Sequence, residues 1–176
     1  MNPKKIFDFI GKKNPKYELE NIVQYNGYII RFIDNPTEQV KLAAVGQNGN
    51  LIQYIENPSE QVKLAAVRED GRAIVYIINP SEQVKLASVQ KDGFSIQYIE
   101  NPSEEVQLAA VQGNGHAIRY IKNPTERVRL AAVGQNGLSI QYIKNPSEEV
   151  QLATLEKDRN LIRFIEIGRA SCRERV

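Results

Sequence analysis

The sequence predicts an all-α fold, an α-solenoid of 22-residue helix–turn–helix repeats, and three observations carry that expectation. The dipeptide Asn-Pro recurs at Asn35, Asn57, Asn79, Asn101, Asn123 and Asn145, always 22 residues apart. The units so marked stay in register, from NPTEQVKLAAVGQNGNLIQYIE at the first to NPSEEVQLATLEKDRNLIRFIE at the last. Their apolar residues are spaced as on a helix face, not in strict alternation, and the Leu-Ala-Ala segment favours helix. A fixed period of this length marks stacked supersecondary units, each of which needs its neighbours to bury its apolar side.

Taken in chain order, residues 1–13 are expected to form an N-terminal capping helix, because KIFDFI at 5–10 matches the second half of a unit. Residues 14–166 are expected to hold seven repeats, the first a diverged copy. Numbering each unit from its Asn, position 1 reads as an N-cap, Pro at position 2 suits the first helical turn, and Glu at position 4 completes a capping box. Glu38, Glu60, Glu82, Glu104, Glu126 and Glu148 are therefore expected to be structural, lying at the positive end of a helix dipole. The first helix should stop at an Asn-Gly or Asp-Gly pair, as at Asn48-Gly49 and Asp70-Gly71, with Gly supplying the left-handed conformation. A second helix of about two turns should cover the I-x-Y-I segment, and the next Asn-Pro should end it. In the unit beginning at Asn57, the expected core is Val62, Leu64, Val67, Ile74, Tyr76 and Ile77, with Ala65 and Ala66 small enough for close helix approach.

Residues 167–176, IGRASCRERV, break the pattern and resemble the translation of a common sequencing-library adapter, so they are set aside as a non-native tail. The tail holds three of the 23 Lys and Arg residues, one of the 21 Asp and Glu residues, and the single cysteine. Without it the net charge falls from +2 to zero. Basicity then offers no argument for nucleic acid, and neither a disulfide framework nor cysteine chemistry is expected. The apolar run in MNPKKIFDFIGKK is short and interrupted by Asp8, so no signal peptide is expected, and nothing later approaches a membrane span. The default expectation is a cytoplasmic protein with no membrane partner.

The stretch LAAVxxNGxxIxYI, complete at residues 42–55 and 108–121, resembles the helical repeats of an uncharacterised domain family of bacteria and large DNA viruses. The half-unit NPSEEVQLAAV, as at 101–111, is similar to leucine-rich repeat variants and HEAT-like repeats. What the resemblance implies is a right-handed α-superhelix serving as a binding scaffold; it implies no activity.

In a repeat protein, constant positions build the core and varied ones face solvent or a partner. Winding the second helix at 100° per residue puts positions 17, 18 and 21 inward and positions 16, 19 and 22 outward. Column 16 is the most varied, reading Tyr28, Asn50, Arg72, Phe94, His116, Leu138 and Asn160. Column 19 follows on the same face with Arg31, Gln53, Val75, Gln97, Arg119, Gln141 and Arg163. The tyrosines of column 20, among them Tyr76, Tyr98 and Tyr120, lie at its edge. Arg, Tyr and exposed apolar residues suit an interaction surface, so the expected partner is a protein. The competing reading is a solvent face free to drift, with tyrosines that are simply core.

A second expectation concerns position 7. Lys41, Lys63, Lys85 and Arg129 would form a basic ladder for nucleic acid or phosphate if they emerged together, although Gln107 and Gln151 interrupt it. Positions 5 and 12, with Gln61, Arg68, Glu105, Arg127 and Glu149, read as a solvated face. No enzyme, cofactor or metal site is expected: His116 is the only histidine, and each Gly has a helix-stop explanation. A structural spacer within a larger protein is the third reading. Because the repeats run to residue 166 with no polar cap, fraying or end-to-end self-association of the last unit is also expected.

Overall fold

The computed structural model describes residues 17–165. The expected capping helix at 1–13 and the tail at 167–176 lie outside the described residues. The architecture is an all-α solenoid of 22-residue hairpins, with no strand among the described residues. The chain divides into two compact units, residues 1–91 and 92–176, and the division falls inside a hairpin, where no sequence signal marks it.

In the first unit α1 (Tyr17–Tyr25), α2 (Glu38–Gln47), α3 (Glu60–Glu69) and α4 (Glu82–Lys91) pack each on the next. Between them run 3-10 segments at Gly27–Phe32, Gly49–Tyr54 and Gly71–Tyr76. The second unit opens with the 3-10 segment Gly93–Tyr98 and continues with α5 (Glu104–Gly113), α6 (Glu126–Gln135) and α7 (Glu148–Lys157). Its remaining 3-10 segments are Gly115–Tyr120, Gly137–Tyr142 and the short Arg159–Leu161, which runs into α8 (Ile162–Ile165). The expected second α-helix is thus a 3-10 helix everywhere but at the end. Six residues are too few for an α-helix to recover its nucleation cost, and the tighter winding suits a short connector. The inward set survives this change: Leu51, Ile52 and Ile55 are buried, and so are their equivalents in the hairpins that begin at Asn57, Asn79, Asn101 and Asn123, whereas in the last hairpin Ile162 is exposed.

Three expectations about the junctions are corrected. Asn at position 1 is not the N-cap. The cap is the Ser or Thr at position 3, whose hydroxyl accepts the N–H of the position-6 valine, as in Ser59 to Val62 (3.2 Å) and Thr125 to Val128 (3.4 Å). Asn instead occupies the left-handed region, with φ between 46° and 53° at all six junctions; among residues with a side chain, Asn tolerates that region best. Glu at position 4 does not close a capping box. Its carboxylate accepts a hydrogen bond from the capping hydroxyl of the following hairpin: Ser59 donates to Glu38, Ser81 to Glu60, Thr125 to Glu104 (2.6 Å) and Ser147 to Glu126. Within each unit these charge-assisted bonds tie one hairpin to the next at their helix N-termini.

The third correction concerns glycine, none of which has positive φ among the described residues. The residue before it makes the turn. Asn48, Asp70, Asn114 and Asn136 are extended; each donates its N–H to the position-10 carbonyl of its own helix and accepts the position-16 N–H on its side chain. Gly at position 15 is required for close approach. A Cβ on Gly49 would lie 2.2 Å from the Ala66 carbonyl oxygen, one on Gly93 2.5 Å from that of Ala110, and one on Gly115 2.5 Å from that of Ala132. Glycine lets these three 3-10 segments lie against the backbone of the next helix, while at Gly137 the added carbon would meet the Leu161 side chain, 2.7 Å away.

The core consists of the position-6 and position-11 valines, the position-10 small residues and the isoleucines at 18 and 21. Leu64 is only half-buried and Tyr76 is 45 % exposed, so these two members of the expected core lie at its edge.

Candidate interaction surface

Each outward side chain is aimed by the turn beneath it. The Asx side chain at position 14 fixes the start of the 3-10 segment, Gly at 15 presses it against the following helix, and positions 16, 19 and 20 are left to project. Column 16 also leans on the next turn: Asn50 donates to Asp70 (2.7 Å), Asn48 to the Tyr28 hydroxyl (3.3 Å), and Asn136 and His116 Nε2 are 2.8 Å apart. Arg72, Arg119 and Arg163 are exposed, Phe94 and His116 are half-buried, and Leu138 is exposed. Tyr76, Tyr98 and Tyr120 stand partly out of the core, at 37 % to 45 % exposure.

In the second unit these columns meet. The Arg119 guanidinium lies 5.0 Å from the Phe94 ring centroid, 4.7 Å from that of Tyr120 and 5.8 Å from that of Tyr142. Phe94 and Tyr120 are edge to face at 6.0 Å, as are His116 and Tyr142 at 5.5 Å. Arg119 donates to the Tyr120 hydroxyl (2.8 Å), and that bond holds the guanidinium pKa above its ordinary value, with Tyr142 acting in the same sense and desolvation opposing. Cation–π attraction and this hydrogen bond restrict the arginine rotamer. Comparison with protein-family models, curated proteins and solved structures returns no match.

The Arg-on-aromatic pairing recurs. Arg163 lies 4.9 Å from the Phe164 ring centroid in the second unit, and Arg31 4.5 Å from that of Phe32 in the first. Of the expected site residues, Phe94, His116, Arg119 and Tyr120 are gathered into one cluster. Arg72 and Tyr76 belong to the first unit.

Below the tyrosine column each unit carries an equivalent groove. One, of about 700 Å³, is lined by Gln53, Glu56, Pro58, Lys63, Tyr76 and Ile78; the other, of about 640 Å³, by Tyr98, Glu100, Pro102, Gln107, Tyr120 and Lys122. Helical winding places the column-22 residues that rim these grooves outward, but none of them is among the expected site residues. The signal was present, since Ile78 stands where other units carry Asp34, Glu56, Glu100, Lys122 or Lys144, and it is 84 % exposed.

The column-7 side chains are half-buried. Lys85 reaches Glu82 of its own helix at 3.7 Å, and Arg129 reaches Glu126 at 3.8 Å. Gln107 and Gln151 donate to the carbonyls of Pro102 and Pro146 (both 2.9 Å). Position 7 therefore folds back over its own N-terminal turn, with the stem as the buried part. Among the described residues no three His, Cys, Asp or Glu side chains are placed to hold a metal, and no helix is long and apolar enough to cross a membrane.

Proposed function

We propose that this chain is a non-catalytic repeat scaffold that binds a protein through the variable face of its 3-10 segments. The observation that carries the reading is the separation of constant from varied positions. Most residues that repeat are buried or close the turns, whereas columns 16, 19 and 22 vary in chemistry over a common backbone and lie beside the constant, partly exposed tyrosines of column 20. A face held rigid from below, carrying Arg and Tyr, is the composition in which binding hot spots concentrate. The basic-ladder reading is weaker because Lys85 and Arg129 reach carboxylates of their own helices. The spacer reading leaves the Phe94–Arg119–Tyr142 cluster without a role.

Selection from a random peptide display library tests this. Enriched peptides should lose binding when Phe94, Arg119 and Leu138 are replaced by Ala, and should keep it when the exposed Gln61, Arg127 and Glu149 of the α-helices are replaced. Peptides indifferent to both sets, or no enrichment, would remove the face from consideration.

A further inference from the structure

We infer that the second unit binds an extended acidic segment, with Arg119 as the anchoring cation. This deepens the scaffold reading and rests on it. The outward columns of this unit carry Arg119, Lys122, Lys144 and Arg163, all exposed, against the single carboxylate of Glu100 among the described residues. Glu166, which continues column 22, lies outside them. The corresponding columns of the first unit balance, with Arg31 and Arg72 against Asp34 and Glu56. The whole chain without its tail is neutral, so the excess is local to this face.

The aromatic neighbours decide between acidic ligands. A single-stranded nucleic acid would need open ring faces on which bases stack. Here Phe94 and Tyr120 meet edge to face, and the Arg119 guanidinium lies near the centroids of Phe94, Tyr120 and Tyr142. The cluster therefore serves to position a cation. A guanidinium held by three rings, with one donor spent on the Tyr120 hydroxyl, keeps further N–H groups for a carboxylate, and little rotamer freedom is lost when that bond forms. Geometry agrees. Successive helices in such a stack are about 8–10 Å apart, and a chain extended as polyproline II advances about 9 Å in three residues and returns every third side chain to the same side. One acidic side chain every third residue then meets one cationic layer after another, at Arg119 or Lys122, then Lys144, then Arg163.

The test uses fluorescence anisotropy on the full chain with three labelled probes. These are an extended peptide of Asp-Gly-Ser repeats, a peptide of the same composition with its aspartates in one block, and oligouridylate of matched charge. The regular acidic peptide is expected to bind saturably and more tightly than the blocked one. Arg119→Ala should weaken it by about tenfold or more, as for loss of a hot-spot residue, and Arg119→Lys nearly as much, because the charge stays but the fork does not. Arg127→Gln, an exposed residue of α6 outside the proposed site, should have no effect, and an unchanged thermal midpoint for Arg119→Ala would show that the fold is intact. No binding, binding indifferent to Arg119, or tighter Arg119-dependent binding of oligouridylate would each overturn the inference. Face-dependent peptides from the display selection that lack acidic residues would overturn it while leaving the scaffold reading in place; no face-dependent peptides would remove both.

Discussion

The two units are built by one packing rule and differ in what they expose and in what they bury badly. Both use position-6 and position-11 valines, Asx turns and close-approach glycines. The first unit exposes apolar Val75 and Ile78 beside Tyr76, while the second presents its cation–aromatic cluster. Among the described residues, the buried side-chain polar atoms with no protein partner are Ser95 Oγ, Gln107 Oε1, Arg129 Nε and Ser139 Oγ, all in the second unit. Column 17 shows the contrast directly: Leu51 and Ala73 in the first unit, Ser95 and Ser139 among those of the second. The constant columns set the backbone, so the face can change independently, and the unit with the more specialised face carries the less satisfied core. Such local departures from optimal stability are where function tends to sit.

The largest effect expected is at the shared feature. Gly49→Ala and Gly115→Ala should each cost about 2–3 kcal/mol in urea unfolding, because the new Cβ meets a backbone carbonyl that cannot step aside. Gly46→Ala and Gly134→Ala, where no atom lies within 4 Å of the added carbon, should stabilise by about 0.5 kcal/mol through helix propensity. Equal effects at the two kinds of glycine would mean that close approach is not what the repeat requires. At the junctions, Asn123→Ser should destabilise by about 1 kcal/mol, since a left-handed residue is forced on a poorer side chain, whereas Asn123→Gly should not. The opposite order would restore Asn as the helix cap. The smallest effect sharpens the contrast between the units. Ser139→Ala should raise stability by about 1 kcal/mol by removing a buried hydroxyl without a partner, and Ala73→Ser in the first unit should lower it.

Much of this was legible in the chain. The period, the first helix, the Asx-Gly stop and the inward trio at 17, 18 and 21 all follow from spacing, and windings of 100° and 120° per residue place that trio alike. Other features were hidden by ambiguity in the chemistry. The junction Asn-Pro-Ser-Glu offers two capping oxygens, and the choice of Ser59 over Asn57 depends on Asn accepting positive φ and on Glu38 of the preceding hairpin, 21 residues away, receiving the Ser59 hydroxyl. Gly49 carries the same letter for a left-handed turn and for close approach; only the neighbouring Ala66 carbonyl distinguishes them. The outward columns could be read one by one, but the convergence of Phe94, Arg119 and Tyr142 from three hairpins is a tertiary fact. The Lys122 and Lys144 surplus in column 22 is readable in the sequence but is masked over the whole chain by Asp34, Glu56 and Glu100 in the same column.

The most direct test asks whether the varied columns are free of structural duty. A proteolysis-based stability scan of all substitutions at residues 17–165 should find columns 6, 10, 11, 15, 18 and 21 intolerant in both units and columns 16, 19 and 22 tolerant in both. Intolerance at Phe94, Arg119 and Lys122 comparable to that at Val111 or Ile118 would show that the face holds the fold together, and would contradict its assignment as a binding surface.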